Sequence, residues 1–164
     1  QALYRGQASE AKSAEVREHL LNAADEEQDH LAWCTQRIKE LNNRGSYLDI
    51  FWYLNSYMIG KLTARIDDSL SLGFVVETEN QVMRHLDGHL AGNKNNKKDN
   101  KDSKLGSGLS EKDARSRKIL EVMKAEEQHH GDEAKEMGAK ELPEIMKKIM
   151  QVQSKFMTSL VYYI

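Results

Sequence analysis

The chain has 164 residues, enough for one domain with a real core, and its net charge of −2 does not point to nucleic acid. A single proline, Pro143, permits long helices almost everywhere, and a single cysteine, Cys34, excludes an internal disulfide and thiolate metal or iron–sulfur sites. Hydrophobic residues make up 39% and charged residues 30%, the balance of helices with charged outer faces, and no uninterrupted apolar run approaches the roughly 18–20 residues of a membrane span.

Residues 1–12 read as the tail of a helix already under way, and a chain that starts at Gln1 reads as a piece of something longer. Over 13–42, Val16, Leu20, Ala23, Glu27, Leu31, Cys34, Ile38 and Leu41 recur at three- and four-residue steps. That spacing predicts an amphipathic helix, with Ser13 as N-cap and a stop at Asn42-Asn43-Arg44-Gly45. Cys34 reads as a small buried hydrophobe on the stripe. Residues 46–90 begin with an apolar stretch from Tyr47 to Ile59 and continue with a second stripe, Leu72, Val75, Val76, Glu79, Val82, Met83 and Leu86. Gly60 and Gly73 mark bends or close helix contacts.

The Asn/Lys/Asp/Ser/Gly-rich run at about 92–109 reads as a solvated, disordered loop, because it has too few apolar residues to bury. A helix is expected over 111–141 with Ser110 as its N-cap and Ile119, Leu120, Val122, Met123 and Ala134 on its apolar face. After Pro143 a last amphipathic helix carries Ile145, Met146, Ile149, Val152, Phe156 and Leu160. The sum is an all-α bundle in a single domain, with no strand signal.

Chemistry enters through a repeat. Glu26-Glu27-Gln28-Asp29-His30 recurs, one position changed, as Glu126-Glu127-Gln128-His129-His130. Glu and His three residues apart project from one helix face. A Glu-x-x-His on each of two helices, plus a Glu on each of two others, is how a four-helix bundle holds two metal ions. Glu27 has Leu20, Ala23, Leu31 and Cys34 at one- and two-turn offsets, so Glu27 and His30 should face the core, where a carboxylate is costly unless paired or metal-bound. The same offsets place Leu72, Val75, Met83 and Leu86 around Glu79 but Gln81 and Arg84 near Glu77, which selects Glu79. In the second copy both Glu127/His130 and Glu126/His129 satisfy the spacing. Alignment with the first copy favours Glu127 and His130 and keeps Glu126 and His129 as second choice. The candidate ligands are then Glu27, His30, Glu79, Glu127 and His130. A sixth, another Glu, is expected before Gln1. Carboxylate and imidazole donors suit iron or manganese.

These residues bring the chain to a known family. It resembles the bacterial demethoxyubiquinone hydroxylases, the di-iron monooxygenases of ubiquinone biosynthesis. Ala2-Leu3-Tyr4-Arg5-Gly6-Gln7 is similar to the segment after that family's first ligand Glu, and Glu26 through Leu31 to its first Glu-x-x-His helix. Ser71 through Glu79 is similar to its third-ligand helix, His85-Leu86 and His89-Leu90 to the continuation, and Glu127 through Gly131 to its closing Glu-x-x-His-Gly.

The resemblance implies a ferritin-like four-helix bundle with extra amphipathic helices. It implies two iron ions held by Glu27, His30, Glu79, Glu127 and His130, with a Glu four residues before Gln1. O2 would be co-substrate and a polyprenyl benzoquinol the substrate. His85 would be either a hydrogen-bond partner behind the ligands or a rim histidine. A tailed substrate implies a peripheral enzyme on the cytoplasmic face of the bacterial inner membrane, among other ubiquinone-biosynthesis proteins. Trp52, Tyr53 and Tyr57 suit the interface, although 47–59 also suits a core helix. Lys61 and Arg65 interrupt a region that is more apolar in the family. A ferritin- or rubrerythrin-like iron-oxidising bundle, and a bundle that has lost its metal, are the competing readings.

Overall fold

The structure, a computed structural model, describes residues 1–91, 109–110 and 113–163, with side chains to Leu160. Among them run six helices and no strand: α1 (Ala2–Glu10), α2 (Ala14–Glu40), α3 (Asp49–Ile66), α4 (Asp68–Leu90), α5 (Ala114–Glu136) and α6 (Glu144–Tyr163). The polar run at 92–108 lies outside the described residues.

Local chemistry sets the boundaries. Ser13 Oγ accepts from the Val16 amide at 3.4 Å and starts α2 as expected. Asp67 does the same for α4 through the Leu70 amide at 3.2 Å. The break between α3 and α4 therefore falls at Asp67, and neither Gly60 nor Gly73 bends a helix. Asp113, not Ser110, caps α5, with its carboxylate accepting from the Ser116 amide at 3.0 Å. Both motif-bearing helices end alike. At the end of α2, Asn42 takes φ 56°, and the Asn42 and Asn43 amides donate to Lys39 and Ile38 carbonyls. At the end of α5, Gly138 takes φ 92°, and the Gly138 and Ala139 amides donate to Lys135 and Ala134 carbonyls. This paired closure through a left-handed residue stops α5 at Glu136, five residues short of the expected end at 141.

α1, α2, α4 and α5 enclose a core of Tyr4, Ala8, Val16, Leu20, Ala23, Leu72, Val75 and Ala134. This is the architecture expected of a ferritin-like bundle. α3 packs on α1 and α4, and α6 touches α4. One carboxylate ties the two corners together: Asp68 accepts from the Lys12 and Ser13 amides at 3.0 and 2.8 Å. Leu31, expected on the core stripe, is 59% exposed beside Gln1, and Cys34 is half-buried with its Sγ 3.9 Å from Met123 Sδ. Among the described residues, none buries Leu31.

Gly60 and Gly73 are close-contact glycines. A Cβ on Gly60 would lie 2.2 Å from the Leu3 carbonyl oxygen, and one on Gly6 would lie 2.1 Å from that of Tyr57. Ala2 and Gly6 on α1 face Gly60 and Ala64 on α3, small residues four apart that let two backbones touch. Gly60→Ala is therefore expected to cost about 1–3 kcal/mol by overpacking. Gly88→Ala, on α4 with nothing within 4 Å of the new Cβ, should instead gain up to about 1 kcal/mol from helix propensity. Urea unfolding of the two variants beside wild type measures both.

Candidate metal centre

Three helices deliver the candidate ligands to one place: Glu27 and His30 from α2, Glu79 from α4, and Glu127 and His130 from α5. Their donor atoms form two groups, Glu27/His30/Glu127 and Glu79/Glu127/His130, each with all atoms within 4.8 Å of one another. Glu127 belongs to both. His30, Glu79, Glu127 and His130 are all buried, and Glu27 is half-buried. Gln1 N lies 3.6 Å from Glu27 Oε2, so the start of α1 abuts the site.

The structure separates the alternatives the sequence left open. His129 lies on the rim, 65% exposed and 3.2 Å from Glu133, so the second-choice histidine is not at the site. Its neighbour Glu126 does reach the site, but at the outer edge of His30. Glu77 is buried like Glu79, yet Gln81 and Arg84 donate to it at 2.8 and 3.2 Å and satisfy it within α4. His85 is exposed and rests on His89, Nε2 to Nε2 3.2 Å, rather than behind the ligands. Six residues along a helix is a rotation of about 240°, which turns it off the Glu79 face.

Four buried atoms in the cluster have no hydrogen-bond partner: His30 Nδ1, His130 Nδ1, Glu79 Oε2 and Glu127 Oε2. His30 Nδ1 stands 3.4 Å from Glu27 Oε1 and 3.5 Å from Glu127 Oε1, and His130 Nδ1 stands 3.7 Å from Glu127 Oε2. The outward-facing atoms are occupied. The Tyr4 hydroxyl donates to Glu79 Oε1. His30 Nε2 pairs with Glu126 Oε2 at 2.6 Å and His130 Nε2 with Glu26 Oε2 at 2.9 Å. Unpartnered polar atoms inside a protein are costly. Two imidazole nitrogens and two carboxylate oxygens left bare and facing one another are a donor set that fits a metal ion of the iron or manganese kind.

Without metal, protons balance the charge. Burial pushes the Glu79 carboxyl well above the usual range, helped by the close approach and charge of Glu127. Burial also acts to raise Glu127, but the nearby His130 and His30 imidazoles outweigh it and hold Glu127 below the ordinary carboxylate range. Burial disfavours the His30 cation, yet Glu127, Glu27 and Glu126 overcome this and raise it to about 11. Metal binding here must therefore release protons.

Periodicity did not reveal Tyr4 or Glu26 at the site, and it offered Glu126 only as a second-choice ligand. The doubled Glu in both motif copies was the available signal for Glu26.

A raised carboxyl in the folded state means that the native protein binds more protons than the unfolded chain above the ordinary carboxylate pKa. Glu79's contribution is then fully present below that pKa and is lost as pH rises toward its folded value. Glu79→Gln, neutral at every pH, should therefore gain in stability over metal-free wild type as pH rises. Urea unfolding in chelator across a pH series measures this difference, and a flat difference contradicts it.

A family model described as ubiquinone biosynthesis protein COQ7 matches residues 1–161. A 3-demethoxyubiquinol 3-hydroxylase of Francisella philomiragia subsp. philomiragia is 52% identical over 162 residues, 99% of this chain and 69% of that protein. Proteins of the same name from Francisella tularensis subsp. tularensis and subsp. holarctica are 51% and 50% identical over the same shares. No solved structure matches the chain. The chain belongs to the ubiquinone biosynthesis protein COQ7 family.

Proposed function

We propose that this protein is a 3-demethoxyubiquinol 3-hydroxylase: a monooxygenase that holds two iron ions and uses O2 to hydroxylate the quinol ring. One oxygen atom enters the ring and the other leaves as water, with electrons from a donor. The observation that carries this reading is the pair of buried ligand groups sharing Glu127. Family membership and the name of the relatives support it. Iron, when bound, supplies the redox chemistry with O2 that side chains lack.

The chain's own residues supply the rest. Glu27, His30 and Glu127 would hold one ion, and Glu79, Glu127 and His130 the other. Tyr4 fixes one oxygen of Glu79 and leaves the second free. Burial of His30, Glu79, Glu127 and His130, each 3% exposed or less, limits the access of water to them.

The same reading places the enzyme on a membrane surface, at the cytoplasmic face of the inner membrane, where a tailed quinol resides. Ile50, Leu54, Met58, Leu62 and Ile66 form an exposed stripe along α3, and Ile145, Ile149, Val152 and Phe156 a second along α6. Such exposed apolar rows suit an interfacial element. Of the three expected anchors only Tyr53 is exposed; Trp52 and Tyr57 are half-buried. Lys61 leaves the apolar row and pairs with Glu10 at 3.2 Å. No described helix is long and apolar enough to cross a membrane. These stripes favour the hydroxylase over an iron-storing bundle with a polar exterior.

Anaerobic loading with Fe(II), then O2, a reductant and a short-tail demethoxyquinol, should give hydroxylated product detectable by mass spectrometry. Wild type should carry about two iron atoms per chain. Glu127→Ala should lose both and make no product, whereas Glu77→Ala should keep both. Full iron loading and O2 consumption without product would support the iron-oxidising bundle instead.

Ile50→Glu with Leu54→Glu should abolish co-sedimentation with lipid vesicles while leaving iron content unchanged. Undiminished sedimentation would remove α3 as the membrane face.

A further inference from the structure

The metal centre explains two of the three defined residues of each Glu-Glu-x-x-His motif. The second Glu and the His face the ligand cluster. The first Glu, Glu26 or Glu126, lies outside both ligand groups. Its carboxylate crosses to the other helix. Glu26 on α2 pairs with His130 Nε2 of α5 at 2.9 Å, and Glu126 on α5 pairs with His30 Nε2 of α2 at 2.6 Å. The arrangement is reciprocal, each motif supplying one carboxylate to the partner motif's imidazole.

The bland account is a pair of surface ion pairs, which contribute little. Burial argues otherwise. Both imidazoles are almost wholly buried, at 3% and 2% side-chain exposure, while the glutamates reach in from the surface at 38% and 53%. A buried ring N–H needs an acceptor. When Nε2–H is given to a carboxylate, the Nδ1 lone pair is left for a metal. The Nδ1 atoms are the ones that stand bare in the cluster. An outer carboxylate on a ligating histidine fixes the tautomer, aims the ring and raises its basicity.

We propose that Glu26 and Glu126 are positioning residues for the metal centre, each orienting the ligand histidine of the opposite motif: Glu26 sets His130, and Glu126 sets His30. The proposal rests on the metal-centre reading above. It assigns a role to the doubled Glu that ligand spacing alone does not explain. It also makes the two motif helices interdependent, since neither half-site is aligned by its own helix alone.

The test uses the whole chain as wild type, E26A, E126A, E26Q and E126Q. Anaerobic equilibrium dialysis measures Fe(II) affinity. The alanine variants should lose roughly 10–100-fold, and the glutamine variants, which keep an acceptor oxygen, distinctly less. A second readout follows the crossing. In Zn(II)-loaded protein with 15N-labelled histidine, His30 and His130 should each show an Nε2–H protected from exchange with water. E26A should expose the His130 proton alone and E126A the His30 proton alone. Loss of protection on the histidine of the same motif, or wild-type Fe(II) affinity in all four variants, would overturn the assignment. If the alanine variants fail to fold by circular dichroism, E26Q must still shift only the His130 ring resonance and E126Q only that of His30, and unmoved resonances overturn it equally. Wild type that binds no Fe(II) overturns the metal-centre reading itself, an outcome distinct from wild type that binds and variants that bind alike.

Discussion

The structure depends on the burial of four ionisable side chains, Glu79, Glu127, His30 and His130, at one level of a helical bundle. Two carboxylates and two imidazoles among aliphatic residues are tolerable only with protons or a cation between them. The metal-free protein meets the demand with protons, and the positions of Glu79 and His30 on the proton scale show it. The helix termini hold three helices in register around that point. The caps at Ser13, Asp67 and Asp113 fix where the helices begin, and the left-handed residues at Asn42 and Gly138 fix where α2 and α5 end.

The centre was legible in the sequence to the extent that its residues repeat along a single helix. Glu27 with His30 and Glu127 with His130 could be read because three-residue spacing sets a shared face. Glu79 could be told from Glu77 because its one-turn neighbours are apolar. What could not be read lies between helices. The partners of Glu26, Glu126 and Tyr4 are on other elements, 104, 96 and 75 residues away, and no local period encodes such a pairing. Leu31 differs for the converse reason: its period is right, but no described neighbour buries it. Of the two meanings the sequence left open for Gly60 and Gly73, a bend or a close helix contact, the backbone contact is the one the structure has, and the corner falls at Asp67 instead.

The repeat now has a structural meaning. Two helices carry the same five-residue motif, end in the same hydrogen-bonded closure, and exchange carboxylates across the centre. This approximate two-fold relation is confined to α2 and α5. α4 contributes Glu79, whose outer oxygen is held by the Tyr4 hydroxyl rather than by a glutamate–histidine pair. The two halves of the site are therefore chemically unequal, although the sequence repeat would suggest equivalence.

Backbone contact between α1 and α3 has a mechanical consequence. The Leu3 carbonyl lies where a Gly60 side chain would be, and the residue after Leu3 is Tyr4, which grips Glu79. No compressible side-chain layer separates α3 from α1 at this crossing. α3 also carries an exposed apolar row. That row and Glu79 are therefore only two links apart: one backbone contact, from Gly60 to Leu3, and one hydrogen bond, from Tyr4 to Glu79.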